Sequence, residues 1–230
     1  FTLFDPGRFM DDSARACEKH GMHTMLLSAE NAFWLPTPVV LPEDLEVAAY
    51  WEKKREYIQR LGSFFKGFDT RVIVYLRRQD KWIESWFNQQ IKNGFHLEGI
   101  MPFLRRHEPL LDYRRLLGIW ADAFGRENMV VRPYEQSQLP DGLLADYAHQ
   151  VGLFEAADVP LKRKPRSNAK LPPEVLRFMN ECNAFSLPPA RKRSLGLTIR
   201  KVANQFESVS VFEDQYLLKP VERLKLLEKV

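Results

Sequence analysis

The segment from Arg71 to Lys92 constrains the fold of this 230-residue chain more than any other part of the sequence. Its run Val72–Leu76 (Val-Ile-Val-Tyr-Leu) is continuously apolar, which is typical of a strand buried on both faces. From Trp82 to Ile91 the apolar residues recur at helical spacing. Asp80 is a suitable N-cap for that helix and Gly94 a suitable stop. The segment therefore predicts a buried strand, a short turn and an amphipathic helix.

The same alternation recurs before and after this segment. Apolar runs at Thr24–Ser28 and Asn128–Arg132 predict two more strands of the parallel type. Helical spacing with plausible caps and stops is found at 47–62, 112–125 and 141–152, where Asp112 and Asp141 are the candidate caps and Gly62, Gly125 and Gly152 the candidate stops. Strands that alternate with helices predict an α/β domain with a mainly parallel sheet flanked by helices.

A helical C-terminal part is expected after Gly152. Residues 155–173 are polar, proline-bearing and basic, which indicates a surface loop. Pro172 and Pro173 then fit a helix start, residues 186–193 another loop, and two further helical patterns span 195–206 and 221–230. We expect one domain over residues 1–230, with the sheet core at about 20–153 and the basic loop and helices at about 154–230.

Positive charge is concentrated in one stretch of the sequence. Between Lys162 and Lys201 there are 11 basic and 2 acidic residues, a net charge of +9, while the remainder carries a net charge of −5. Such a segment should face an anionic partner: a phosphorylated cofactor, an acidic glycan, a nucleic acid or a membrane surface. No aromatic residue is interleaved with the basic residues from 162 to 177, so nucleic-acid binding is not expected.

Several classes of protein are disfavoured by the composition. No run of about 18 apolar residues is present, so no membrane span is expected. The first residues lack the pattern of a signal peptide, and the only two cysteines, Cys17 and Cys182, carry no ligand spacing. The five histidines also lack metal-site spacing. A cytoplasmic protein without a metal cofactor is expected.

A candidate anion site follows from the strand-turn-helix segment. Arg77 stands at the carboxyl end of the predicted strand, where open α/β sheets bind ligands. Ser85 lies eight residues later, in the second turn of the helix, on the face opposite the apolar stripe. An arginine fork, a hydroxyl donor and a helix N-terminus together suit a phosphate.

These residues resemble the sulfotransferases that use 3′-phosphoadenosine 5′-phosphosulfate (PAPS), in a bacterial branch with a motif similar to Tyr75–Asp80 (Tyr-Leu-Arg-Arg-Gln-Asp). The stretches 27–31, 111–125, 130–135 and 141–153 also look like that branch, and the resemblance covers most of residues 20–185. It implies a P-loop-type fold. It also implies that Arg77 and Ser85 hold the 3′-phosphate of PAPS or of its product, adenosine 3′,5′-bisphosphate (PAP).

The resemblance also has a departure. The family's phosphate-binding loop, which cradles the 5′-phosphosulfate, has no counterpart here, because no Gly-x-x-x-x-Gly-Lys-Ser/Thr pattern occurs. In the family that loop precedes the region where this sequence begins, so we expect it upstream of Phe1.

The remaining site residues are predicted from their position in the sequence and from the resemblance. The family places a basic loop over the cofactor, so Arg166 and Asn168 are expected to complete the 3′-phosphate pocket. Glu30 follows the predicted strand Thr24–Ser28 and is the candidate catalytic base for the acceptor hydroxyl. His96 and His107 are weaker candidates for the same role.

The function expected from the sequence is therefore transfer of a sulfuryl group from PAPS to a hydroxyl or amine, on an acceptor that the resemblance suggests is a bacterial saccharide. Two alternatives remain open. One is a non-catalytic anion-binding module, and the other is a different P-loop transferase such as a small-molecule kinase.

Overall fold

The computed structural model describes residues 6–33, 46–153, 171–205 and 218–229, and most of these residues are helical. The α-helices of the described residues are α1 (Pro6–Lys19), α2 (Val47–Ser63), α3 (Gln79–Lys92), α4 (Ile100–His107), α5 (Tyr113–Phe124), α6 (Leu143–Gln150), α7 (Pro173–Ala184), α8 (Pro189–Gln205) and α9 (Pro220–Lys229). The strands are β1 (Val72–Leu76) and β2 (Met129–Pro133). Short 3-10 helices occupy Glu30–Phe33, Glu108–Leu111, Arg126–Asn128 and Gln136–Gln138.

The sheet is smaller than the sequence predicts. β1 and β2 pair in parallel and form the two-stranded sheet of the described residues. Just beyond the strands, the backbone N–H of Tyr134 donates to the carbonyl of Leu76 at 2.7 Å. The two strand predictions are confirmed within one residue, but the prediction of a P-loop-type, mainly parallel sheet is wrong, because the described part of the chain is mainly helical.

The expected strand at Thr24–Ser28 is not formed. These residues have extended or irregular backbone without a strand ladder, and Leu26 and Leu27 are 47% and 42% exposed. A short apolar run becomes a strand only where a neighbouring strand supplies its hydrogen-bond ladder. The prediction failed because the composition of an apolar run does not show whether such a neighbouring strand exists.

The described residues divide into two compact units. The first contains residues 6–33, 46–74 and 112–131, and the second contains residues 75–111, 132–153, 171–205 and 218–229. The expectation of one domain over 1–230 stays a prediction.

The first unit is built on the packing of α2 against α5. Tyr50, Trp51 and Ile58 on α2 are buried, and so are Leu116, Ile119 and Trp120 on α5. Gly62 was predicted to end α2, but the helix continues to Ser63. A Cβ at Gly62 would lie 3.1 Å from the carbonyl oxygen of Ala123 on α5, so this glycine allows the two helices to approach closely.

The second unit is built around α3, which packs against α4, α7 and α9. Of the apolar stripe predicted from the sequence, Trp82 and Trp86 are partly buried and the other residues are buried. Ile83, Phe87 and Ile91 lie in a core with residues of the other helices, including Phe103, Leu104, Leu176, Met179, Ala203 and Leu226.

Helix α7 fastens the C-terminal end of α3. The side-chain amide of Asn183 donates to the carbonyls of Ile91 at 2.8 Å and Phe95 at 3.0 Å. Asn180 accepts from the backbone N–H of Leu97 at 2.8 Å and donates to its carbonyl at 2.7 Å. Two asparagines one turn apart on α7 are therefore hydrogen-bonded to the last turn of α3 and to the loop that follows it.

The predicted caps have mixed outcomes. Asp112 caps α5, since its Oδ1 accepts from the N–H of Arg115 at 2.8 Å, and Gly125 follows that helix with a φ of 90°. Asp141 caps no helix, because α6 begins after Gly142. Asp80 lies inside the first turn of α3 rather than at its N-cap, which is Arg78. The loop predicted at 186–193 is shorter than expected, because α8 already begins at Pro189.

Two glycines in this fold give a matched test of helix packing. Gly62→Leu should lower the free energy of unfolding by about 1–3 kcal/mol, because the added side chain meets the backbone of α5. Gly118→Ala should raise it by about 0.5–1 kcal/mol, since no atom lies within 4 Å of the added Cβ and alanine favours the helix. Chemical denaturation measures both, and a Gly62→Leu variant as stable as wild type would contradict the close approach of α2 and α5.

Candidate functional site

The carboxyl ends of β1 and β2 bring Arg77 next to Tyr134. The guanidinium carbon of Arg77 lies 5.0 Å from the centre of the Tyr134 ring. Each residue directly follows its strand, so parallel pairing places them side by side. Attraction between the guanidinium and the face of the ring restricts the arginine side chain.

An ionic cluster at the first turns of α3 joins the exposed Arg78 to the buried Asp80, Glu84 and Arg223. Asp80 accepts from Arg78 Nε at 2.6 Å, from Arg78 Nη2 at 2.8 Å and from Arg223 Nη1 at 2.6 Å. Arg223 Nη2 also pairs with Glu84 Oε1, which accepts from the backbone N–H of Leu218 at 2.8 Å. Asp80, Glu84 and Arg223 are all buried.

The formal charges of this cluster cancel. Burial by itself would raise the pKa of Asp80, but the hydrogen bonds from Arg78 and Arg223 prevail and lower it to about 2. Asp80 is thus paired with Arg78 and Arg223, and Glu84 is paired with Arg223. The two carboxylates do not cancel the positive end of the α3 dipole for a ligand placed outside the cluster.

Ser85 lies on a different face of α3, and it is partly buried. Lys81, Ser85, Asn88 and Lys92 follow one another at helical spacing, so they line one face of the helix. Lys81 Nζ pairs with Glu135 Oε2 at 2.5 Å. The pKa of Lys92 is lowered by burial and by the charge of Arg200. Asn88 Oδ1 is buried without a hydrogen-bond partner among the described residues. The face is therefore polar, with cations near both ends.

A second polar contact joins the two strands to α6, and it was not predicted from the sequence. Tyr75 Oη donates to Asp146 Oδ2 at 2.5 Å, and Arg132 Nη2 donates to Asp146 Oδ1 at 2.5 Å. The pKa of Asp146 is lowered by these hydrogen bonds, first that from Arg132. The phenol, the guanidinium and the carboxylate come from three elements, and only the paired strands bring the first two together.

Of the predicted site residues, Arg77 and Ser85 belong to the second unit. Arg77 lies just before α3, and Ser85 lies in its second turn. Glu30 belongs to the first unit, where it begins the 3-10 helix Glu30–Phe33. Its role as a base stays a prediction. Arg166 and Asn168 lie outside the described residues.

The two histidines considered as bases differ in their surroundings. His107 is completely buried against the rings of Trp86 and Phe103, and its Nδ1 is 2.6 Å from the carbonyl oxygen of Phe103. Burial lowers its pKa to about 4, so the ring is neutral at pH 7. His96 is exposed, with Nδ1 2.9 Å from the carbonyl oxygen of Asn180. His107 is therefore a core residue rather than a base open to substrate.

Lys54 anchors the short helix that begins at Glu30. It is a buried residue of α2, and its Nζ donates to the carbonyl of Phe33 at 2.8 Å. The Phe33 ring in turn stacks on Trp120 of α5, with ring centres 5.9 Å apart. Burial lowers the pKa of Lys54 to about 7. In the sequence this residue stands within five consecutive charged positions, 52–56, so its burial was not predicted.

The described residues contain neither a candidate metal site nor a candidate membrane span. Within the described ranges, no group of three or more His, Cys, Asp and Glu side chains is placed to hold a metal ion. None of the helices described combines the length and the hydropathy needed to cross a bilayer.

Lys54 gives a prediction about pH. Because its folded pKa lies near 7 and an unfolded lysine titrates near 10.4, the unfolded chain binds more protons between these values. Its contribution to the free energy of unfolding should therefore rise with pH, by at most about 1.4 kcal/mol per pH unit. Denaturation of wild type and Lys54→Met between pH 7 and 10 should show this rise as a difference between the two proteins. The exposed neighbour Lys53→Met is the control and should keep the wild-type slope.

The ionic cluster gives a prediction about stability. Arg223→Met removes the cation shared by two buried carboxylates, so the free energy of unfolding should fall by about 3–5 kcal/mol. Arg191→Met on exposed α8 should change it by less than about 0.5 kcal/mol. A loss below about 1 kcal/mol for Arg223→Met, the size expected of a surface ion pair, would contradict the buried cluster.

Comparison with known proteins finds a similar sequence of unknown function. The chain is 31% identical over 131 residues to an uncharacterized protein of Archaeoglobus fulgidus, in a match that covers 54% of this chain and 34% of that protein. The chain thus spans about a third of the length of this relative. No family model and no solved structure matches the chain significantly.

Proposed function

We propose that the chain is part of a sulfotransferase that uses PAPS, with Arg77 and Ser85 as the grip on the 3′-phosphate. The observation that carries the proposal is the strand-turn-helix segment itself. Arg77 follows a strand in a parallel pair, and Ser85 lies in the second turn of the helix that comes next. This order of strand, arginine, helix and serine is the one on which the resemblance to sulfotransferases rests.

The surroundings of Arg77 favour an anionic ligand. The guanidinium is held over Tyr134 near the N-terminal end of α3. The acidic residues of the first turns, Asp80 and Glu84, are already balanced by Arg78 and Arg223. A phosphate beside Arg77 therefore meets an arginine and a helix N-terminus without facing an unbalanced carboxylate from this cluster.

The reaction proposed is transfer of a sulfuryl group to an acceptor oxygen or nitrogen. The acceptor forms a bond to sulfur, the bond between sulfur and the phosphate oxygen breaks, PAP leaves, and the acceptor proton passes to a base. Such a transfer depends mainly on in-line positioning and on stabilising the charge of the transferred oxygens. Glu30 is the proposed base, a saccharide hydroxyl the proposed acceptor and the cytoplasm the proposed compartment, all three from the sequence alone.

A non-catalytic anion-binding module is the second candidate. It is favoured by the absence from these 230 residues of any Gly-x-x-x-x-Gly-Lys-Ser/Thr pattern. Such a module would bind anionic polymers with a steep dependence on salt and would not distinguish one phosphorylated nucleoside from another.

The proposal predicts a preference for the 3′-phosphate. In calorimetry the chain should bind PAP more tightly than adenosine 5′-monophosphate, since only PAP carries the group that Arg77 and Ser85 would hold. Arg77→Ala should weaken PAP binding by about 1.5–3 kcal/mol, or roughly 10- to 150-fold, and leave the weaker monophosphate binding nearly unchanged. Ser85→Ala should act in the same direction with a smaller effect.

Arg114→Ala is the matched control, because Arg114 is an exposed arginine of α5. It should bind both nucleotides as wild type does. Equal affinity of the wild type for PAP and for adenosine 5′-monophosphate would overturn the assignment of Arg77 and Ser85. Equal affinity combined with salt-sensitive binding to dextran sulfate would favour the anion-binding module.

A further inference from the structure

Helix α7 carries an acidic and apolar stripe on its exposed side, formed by Glu174, Phe178 and Glu181. All three residues are exposed, and Phe178 is 59% exposed. Spacings of four and three residues place them within about 60° of one another around the helix axis. A phenylalanine in this α7 stripe therefore stands between two carboxylates. Arg177 lies beside the stripe, so α7 has two acidic residues and one basic residue, a net charge of −1.

Helix α8 carries a stripe of the opposite charge, formed by Arg193, Leu197 and Lys201. These residues follow one another at intervals of four, which places them within about 80° around the axis. All three are exposed, and Leu197 is 56% exposed. The helix contains five basic residues and no acidic residue over Pro189–Gln205. A leucine in this α8 stripe therefore stands between two cations.

The two stripes match in length and in order. At about 1.5 Å per residue, Glu174 and Glu181 are separated by about 10.5 Å along α7, and the two cations of the α8 stripe by about 12 Å along α8. In each stripe the apolar residue lies near the middle. An α8 stripe laid on an α7 stripe would therefore place Leu197 on Phe178 and a cation beside each carboxylate.

The two stripes of one chain do not pair with each other. A Cβ at Gly196 would lie 3.1 Å from Met179 Cε, so these two residues mark where α7 and α8 touch. Met179 lies about 100° around α7 from Phe178, and Gly196 lies about 100° around α8 from Leu197. The stripes thus face away from the contact between their own helices. A second copy of the chain carries the complementary stripe for each of them.

A groove beside Phe178 gives the leucine of another chain a place to pack. Its cavity has a volume of about 440 Å³, and its lining includes Glu174 and Phe178 from α7 and Ile199 and Val202 from α8. The lining is apolar except for Glu174 and Thr198. Exposed ion pairs contribute little to association, so burial of an apolar side chain at the groove is the larger contribution.

We propose that the chain associates with a second copy of itself, with the α8 stripe of one copy packed on the α7 stripe of the other. Leu197 packs against Phe178 at the edge of the groove, and the two cations of the α8 stripe lie beside the two carboxylates of the α7 stripe. The proposed nucleotide site uses none of these residues, so either proposal can fail alone.

Sedimentation velocity of the full 230-residue chain at rising protein concentration tests the association. The wild type should shift from monomer to dimer or larger species. The acid-reversed variant is Glu174→Lys with Glu181→Lys, and the base-reversed variant is Arg193→Glu with Lys201→Glu. Each should associate at least about tenfold more weakly than the wild type, because each places like charges opposite one another.

An equimolar mixture of the two reversed variants should associate again. In that mixture every reversed stripe meets a stripe of opposite charge on the other variant, so the affinity should return to about that of the wild type. Lys53→Glu with Arg114→Glu is the control for net charge. It changes the net charge as much as the base-reversed variant does, but at exposed positions of α2 and α5, and it should self-associate as the wild type does.

The apolar part of the contact has its own matched pair of variants. Leu197→Ser keeps every charge and should weaken self-association about tenfold, since a leucine no longer packs against the partner's stripe. Leu144→Ser on α6 removes a leucine that is 58% exposed and should leave the association unchanged. All the substituted side chains are exposed, and thermal melts followed by circular dichroism check that each variant is folded.

Four results would overturn the proposal. The first is a wild type that stays monomeric at every concentration at which it is soluble. The second is a reversed variant that associates as strongly as the wild type. The third is a mixture of the two reversed variants that stays monomeric. The fourth is an equal loss of association in the α2 and α5 control, which would show that net charge alone is responsible.

Discussion

The packing of the second unit of this protein depends on the neutralisation of two buried carboxylates. Asp80 and Glu84 lie in the first turns of α3, out of contact with water, and a buried charge is tolerated only when it is paired. Arg78 comes from the adjoining turn, but Arg223 comes from α9, together with the N–H of Leu218. The position of α9 against α3 is therefore required by charge balance as well as by the apolar packing of Leu226 in the common core.

The helices could be predicted from the sequence because the residues that determine them lie close together along the chain. The helical spacing of Ile83, Phe87 and Ile91 predicts which side of α3 is buried, and Asp112 and Pro173 mark where α5 and α7 begin. The strand expected at Thr24–Ser28 failed because a strand depends on a neighbour that is distant in sequence. Gly62 was predicted to end α2. The reason for a glycine there is the close approach of the Ala123 carbonyl, and Ala123 is also distant in sequence.

At the candidate site, too, the features that depend on neighbouring residues were predicted, and those that depend on residues distant in sequence were not. The positions of Arg77 and Ser85 around the start of α3 follow from a strand that ends and a helix that begins, and both were predictable. The Tyr134 ring over Arg77 depends on the pairing of β1 with β2, and the cation for Asp80 and Glu84 depends on a residue in the last helix. Asp80 was predicted as an N-cap, and the burial of Asp80 and Glu84 was not predicted, since spacing alone does not reveal burial.

The pairing of Arg223 with Glu84 also constrains how the protein is made. The two residues are separated by 139 positions, and the asparagines of α7 that complete the other end of α3 follow it by 83–92 positions. At translation rates of about 5–20 residues per second, Arg223 emerges roughly 7–28 s after Glu84. During that interval α3 has two acidic side chains without their shared cation and a C-terminal end without its partners. The nascent second unit therefore cannot complete its core or its ionic cluster before α9 has been synthesised.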